Sequence, residues 1–183
     1  CFNFGTKYLP HFPNLISLEL YIQLCDADIQ QIATMTKLTT LKLPQITVSA
    51  LSRNCLLGLS SLTNLEKLAI THSGSMFVFD FIQHFNKLKY LDVNYSTLGD
   101  NIPQLLSEHC TQLNYLDITG SCVQNDQLQY LESLNALTNL TIQYAVVSKI
   151  DLSKFKDITH LDLSFCTNFC EFTMKQLSEL QQL

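Results

Sequence analysis

The residues Leu113-Asn114-Tyr115-Leu116-Asp117-Ile118-Thr119-Gly120-Ser121 carry a spacing of apolar side chains that returns along nearly the whole chain. With Leu113 taken as offset one, Leu116 stands at offset four and Ile118 at offset six. Alternate side chains of an extended strand share a face, so Leu116 and Ile118 point to one side and the residues between them to the other. The stretch reads as a short strand with one buried side.

Working outward, the same opening recurs at Leu15, Leu38, Leu65, Leu88, Leu137, Ile158 and finally Leu180, at intervals of 23, 27, 23, 25, 24, 21 and 22 residues once Leu113 is included. In each of the seven full copies offset four is leucine: Leu18, Leu41, Leu68, Leu91, Leu116, Leu140 and Leu161. Offset six is always aliphatic: Leu20, Leu43, Ile70, Val93, Ile118, Ile142 and Leu163. The segments between copies carry helical i, i+3 steps, as in Ile29, Ile32 and Met35, in Leu128, Leu131 and Leu134, and in Met174, Leu177 and Leu180. Pro103 fits an early helical position ahead of Leu105 and Leu106, and Asp126 is placed to cap the segment after it. Lys149 to Phe155 is short and weakly periodic, so a turn or a single helical turn is expected there.

A period of 20 to 29 residues with the pattern L-x-x-L-x-L resembles the leucine-rich repeat family. The resemblance covers roughly residues 12 to 183. It implies one α/β domain over residues 1–183, about seven repeats, in which a solenoid or horseshoe presents a parallel sheet on its concave side and helices or turns on its convex side. Many members carry asparagine at offset nine; here that offset reads Gln23, Ile46, Ser73, Ser96, Ser121, Ala145 and Cys166. Small residues and a cysteine there look more like the intracellular cysteine-containing subclass, which includes F-box substrate receptors of ubiquitin ligases. That likeness implies an intracellular adaptor, in the cytoplasm or nucleus, although only Cys166 holds the position. The alternative is a ligand-binding fragment of an extracellular leucine-rich repeat receptor.

Composition narrows the classes of partner. With 46% hydrophobic and 15% charged residues the chain has ample core material. A net charge of -5 with Arg53 as the only arginine leaves no basic stripe for nucleic acid or an anionic membrane. No apolar run approaches a membrane span. Seven cysteines, an odd number scattered from Cys1 to Cys170, read as reduced thiols. Asn94-Tyr95-Ser96 and Asn139-Leu140-Thr141 match the glycosylation sequon and point the other way, to a secreted context, although chance matches are the blander account.

The outward strand residues are where the resemblance places a binding site. Offset three reads Ser17, Thr40, Lys67, Tyr90, Tyr115, Asn139 and His160; offset five reads Glu19, Lys42, Ala69, Asp92, Asp117, Thr141 and Asp162. Offset eight adds His72, Tyr95, Tyr144 and Phe165. Parallel neighbours about 4.8 Å apart put Tyr90 beside Tyr115 and Asp92 beside Asp117. Aromatic and acidic residues so grouped suit a protein partner with a basic patch, and the candidate contacts are Tyr90, Asp92, Tyr95, Tyr115, Asp117, Tyr144, His160 and Asp162. The plainer reading is that adjacent tyrosines stabilise strands by stacking and that an aspartate before the last strand aliphatic is commonplace in the family.

Catalysis finds no footing. His160 and Asp162 lie about 10 Å from Asp117 by strand spacing, too far to share a metal. Cys166 and Cys170 have no second pair, and no phosphate loop, nucleophile elbow or H-E-x-x-H occurs. No cofactor is implied. At the ends, Leu180 to Leu183 opens an eighth copy, while Phe2, Phe4, Tyr8, Leu9 and Phe12 look like the tail of an earlier one. Neither resembles a finished cap, and the expectation is a longer array or ends hidden by self-association.

Overall fold

A computed structural model describes residues 6–44, 51–52, 54–71, 79–121, 123–124, 126–169 and 171–180. Ile46, Ser73 and His72, along with Cys1, Cys122 and Cys170 and the terminal Phe2, Phe4 and Leu183, lie outside the described residues. Seven strands form one sheet in chain order: β1 (Ser17–Glu19), β2 (Thr40–Pro44), β3 (Lys67–Thr71), β4 (Tyr90–Asp92), β5 (Tyr115–Asp117), β6 (Asn139–Thr141) and β7 (His160–Asp162). Every neighbouring pair is parallel and in register offset for offset, as in Leu91 with Leu116 and Leu116 with Leu140.

Each strand is launched by the same turn. The offset-one amide donates to the carbonyl three residues earlier, from Leu15 N to Phe12 O at 3.0 Å through Leu113 N to Cys110 O at 3.0 Å. The bond recurs at Leu180, whose amide donates to Leu177 O at 3.4 Å. The eight repeat openings read from the sequence thus share one backbone hydrogen bond, made at Leu180 by the end of α3 and before each strand by a turn.

Burial explains why offsets one, four and six are aliphatic. Leu38, Leu41 and Leu43, then Leu65, Leu68 and Ile70, then Leu88, Leu91 and Val93 are fully enclosed, and the layers continue through Ile118, Leu140 and Ile142. Removing such side chains from water stabilises by roughly 1.5–3 kcal/mol each. The layer at β7 is less covered: Leu161 and Leu163 stay partly exposed, since no strand follows β7 among the described residues.

The return segments include three α-helices, α1 (Asp26–Ala33), α2 (Ile102–His109) and α3 (Glu171–Glu179). Pro103 sits in the first turn of α2 as its spacing indicates. In α1 the carboxylate of buried Asp28 accepts from Cys25 N at 2.8 Å and so caps the helix. Elsewhere the return is 3-10, including Cys55–Ser61, Asp80–His84 and Leu128–Ser133. The i, i+3 spacing of Leu128 and Leu131 fits that tighter period, in which such side chains eclipse. Asp126 does not serve as the cap expected of it, because Gln127 holds that position without a side-chain bond. The shortest repeat returns through a single turn, Leu152–Lys154, capped by Asp151, which accepts from Ser153 N at 3.1 Å.

Offset nine replaces the missing asparagine ladder with a hydroxyl and thiol ladder. Ser96 Oγ donates to Ile70 O at 2.9 Å, Ser121 Oγ to Val93 O at 3.0 Å and Cys166 Sγ to Ile142 O at 2.8 Å. Each bond joins offset nine to the offset-six carbonyl of the preceding repeat. Ala145 leaves the rung to Ile118 O unfilled, so Ala145→Ser is expected to add about 0.5–1.5 kcal/mol, read as a raised denaturation midpoint.

Candidate functional site

The exposed side of the sheet is organised by Tyr90 and Tyr115. In-register pairing of β4 and β5 brings their rings to a centroid distance of 4.1 Å with 10° between planes. Both are half-buried, and burial is the first cause that pushes each phenol above its ordinary range, with the two hydroxyls also hydrogen-bonded to each other. They remain neutral rings at physiological pH. On the Tyr90 side lies a depression of about 210 Å³ whose lining includes Glu19, Lys42, Thr71 and Asn94. On the Tyr115 side lies a wider one of about 500 Å³ lined by Asn139, Thr141, Thr159, His160, Leu161 and Asp162.

Asp92, Asp117 and Asp162 have a structural role that the sequence does not announce. Each carboxylate accepts from the backbone amide two residues on, from Asn94 N at 3.2 Å, Thr119 N at 2.9 Å and Ser164 N at 2.8 Å. These are Asx turns that close the strand ends. Asp162 is further held by Ser164 Oγ and by Gln143 Nε2. The Ser164 bonds are the first cause that lowers its carboxyl below the usual range, so it stays ionised. Lys42 and Lys89 are occupied by Glu19 at 3.4 Å and Glu66 at 2.9 Å.

Directly after these turns, offset eight adopts a left-handed backbone in four successive repeats. Tyr95, Gly120, Tyr144 and Phe165 have φ of 51°, 63°, 61° and 60°. Glycine tolerates this region freely, whereas a bulky side chain there carries strain of order 1–3 kcal/mol. Tyr144 and Phe165 are exposed and stack at 4.8 Å with 4° between planes. Tyr95 instead lies across Gly120, where an added Cβ would come within 2.7 Å of its Cδ1. Gly120→Ala is therefore expected to cost about 1–3 kcal/mol by denaturation, with the Tyr95 ring forced aside.

The residues singled out from the sequence thus fall into three places. Tyr90, Asp92, Tyr115 and Asp117 meet across β4 and β5; His160 and Asp162 line the wider depression on β7; Tyr95 and Tyr144 stand beyond the strands in a separate row interrupted by Gly120. Asn139, Thr141 and Thr159 complete the wider depression; Asn139 and Thr141 occupy the same outward offsets as the tyrosines and aspartates but are not among the candidate contacts. Of the two sequon asparagines, Asn139 lies in β6 and its Oδ1 accepts from Thr138 Oγ1 at 2.9 Å, while Asn94 Oδ1 is buried without a hydrogen-bond partner among the described residues.

Cys25, Cys55, Cys110 and Cys166 are free, and burial pushes Cys55 up to about 11 and Cys110 up to about 12. Such thiols are poor nucleophiles. Among the described residues no three histidine, cysteine or carboxylate groups converge on a metal position, and no helix is long and apolar enough to cross a membrane.

Comparison with known proteins finds likeness in structure and not in sequence. No protein-family profile and no curated protein sequence matches the chain. Among solved structures, an internalin (inlF) from Listeria monocytogenes superposes with a TM-score of 0.71 at 21% identity over 94% of this chain and 48% of its own. Internalin C2 of the same organism gives 0.74 at 24% identity, over 97% of this chain and 71% of that one. The Arabidopsis receptor kinase HAESA, solved in complex with the peptide hormone IDA and the co-receptor SERK1, gives 0.61 at 18% identity, over 87% and 31%. The chain spans about half the length of the first internalin and a third of the plant receptor. At these identities the likeness establishes the fold, an α/β leucine-rich repeat solenoid.

Proposed function

We propose that this chain is a noncatalytic recognition module that binds a protein or peptide on the exposed sheet face of its fourth to seventh repeats. The observation that carries this reading is the half-buried Tyr90–Tyr115 stack flanked by two open depressions. Rigid aromatic rings with polar tips bury large area at small entropic cost, and in-register strands hold the pair in place. Tyr95, Tyr144 and His160 extend the surface, and Asp92, Asp117 and Asp162 give it an acidic cast suited to a partner with a basic patch. Their turn-capping role leaves the carboxylate charge in place. Nucleic acid and membrane are not the intended partners, since no basic stripe is present in the sequence.

Within that reading we favour an intracellular adaptor, such as the substrate receptor of a ubiquitin ligase. Its support is the set of free thiols dispersed through the described residues and the place of Asn139 within β6, where its side-chain oxygen accepts from Thr138 Oγ1. The extracellular receptor fragment is the second reading, supported by the likeness to a plant receptor solved with its peptide hormone. Affinity capture from a lysate, with the chain intact and with Tyr90 and Tyr115 both changed to alanine, tests the proposal. A partner retained by the intact chain and lost from the double variant supports it; a partner retained equally by both contradicts it.

A further inference from the structure

We propose that the gap above Thr141, between Asp117 and Asp162 and beside Tyr115, seats the guanidinium of an arginine side chain carried by an extended segment of the protein partner. This rests on the reading of the sheet face as the recognition surface and adds to it the chemistry of the anchor. Register places Asp117, Thr141 and Asp162 side by side on β5, β6 and β7. Two strand steps separate the aspartates by about 10 Å, so a group centred over the small Thr141 side chain lies about 5 Å from each along the row. The spacing suits a wide planar cation and rules out one metal ion bound by both carboxylates, which would need them within about 2.5 Å of it.

The wall of the gap has the right character. One face of the Tyr115 ring is covered by Tyr90 at 4.1 Å, which leaves the other turned toward β6, where Asn139 stands beside it in register and Thr141 two residues further along, and toward the wider depression. A guanidinium stacks on such a face while its fork donates to carboxylates at its rim, which an ammonium does less well. Neither Asp117 nor Asp162 has an ion pair among the described residues, although Asp162 accepts from Ser164 and Gln143, and Lys42 and Lys89 on earlier repeats are paired with Glu19 and Glu66. His160 is the one titratable group of basic character in the lining, and its Nδ1 lies 3.0 Å from Thr159 Oγ1. The low carboxyl pKa of Asp162 keeps its charge through the physiological range. The depression, about 500 Å³, is lined by Tyr115, Thr141 and Asp162, with Asp117 beside Thr141 on the next strand and outside the lining, and has room for the backbone on either side of the anchor.

The test is an NMR titration of the 183-residue chain with N-acetyl-arginine amide, alongside the neutral isostere N-acetyl-citrulline amide. Arginine is expected to give saturable shifts confined to the amides of β5, β6 and β7, with a roughly millimolar Kd typical of so small a ligand, and citrulline to bind about tenfold more weakly. Asp117→Asn retains an oxygen that can cap the turn and removes the charge, while Asp162→Asn keeps the oxygen for Ser164 but gives up the bond from Gln143 Nε2; each is expected to weaken arginine binding several-fold, with circular dichroism checking that the fold is kept. Absence of saturable shifts, equal binding of citrulline, or unchanged affinity in both asparagine variants overturns the proposal. Should a captured partner still depend on Tyr90 and Tyr115 while the arginine probe fails, the anchor assignment falls and the wider reading stands.

Discussion

Leu116→Ala is expected to lower the stability of the chain by about 2–5 kcal/mol, the range for a buried leucine that leaves a cavity. Leu116 is fully enclosed at the centre of the sheet, with Leu91 on one side and Leu140 on the other in direct register. Leu113 and Leu106 of α2 are buried in the same core. The neighbours are fixed by their own strands, so the site cannot collapse to fill the space. A repeat array draws its stability from contacts between successive units, and loss of a central layer therefore weakens the whole chain and not one repeat. A urea midpoint measured on both proteins reads the effect directly. An unchanged midpoint would contradict the assignment of offset four to the core.

The second large effect concerns binding. Tyr115→Ala is expected to weaken the captured partner by about 1–4 kcal/mol in binding free energy, as for a central aromatic hot spot. Tyr115 has one ring face against Tyr90 and lines the wider depression, so truncation removes both a contact and the support of its neighbour. The two tyrosines touch, hence Tyr90→Ala and the double variant should be non-additive in a mutant cycle. Asp117→Asn should act differently, chiefly through association rate and salt dependence. Calorimetric Kd values for the four proteins decide the matter, and equal affinities would place the partner elsewhere.

Much of the architecture was legible because a strand with one buried side leaves a mark of period two, and seven copies of it at offsets four and six exceed chance. Even Leu15 and Leu180, at the two ends, donate to the carbonyl three residues earlier as the central openings do. The returns were legible only in part. An i, i+3 spacing marks an inward face but does not separate an α-helix such as α2 from the 3-10 turn at Leu128–Ser133, since both periods place residues three apart on one side. The aspartates were noted as charges, while their work as turn caps depends on backbone geometry that no residue type declares. Strain at offset eight was hidden for the opposite reason: only Gly120 has the residue type expected of a left-handed backbone, and Tyr95, Tyr144 and Phe165 adopt it regardless. Ser96 and Ser121 did carry a signal that could have been used, a donor at the same offset in two successive repeats.

The measurement that bears most directly on the proposed recognition surface is hydrogen exchange of the chain alone and saturated with its captured partner. Amides in β4 to β7 and in the turns that follow them are expected to gain protection on binding, while those of α1, α2 and the 3-10 segments on the opposite side keep their free rates. Protection confined to the helical side, with the strands and their turns unchanged, would contradict the account.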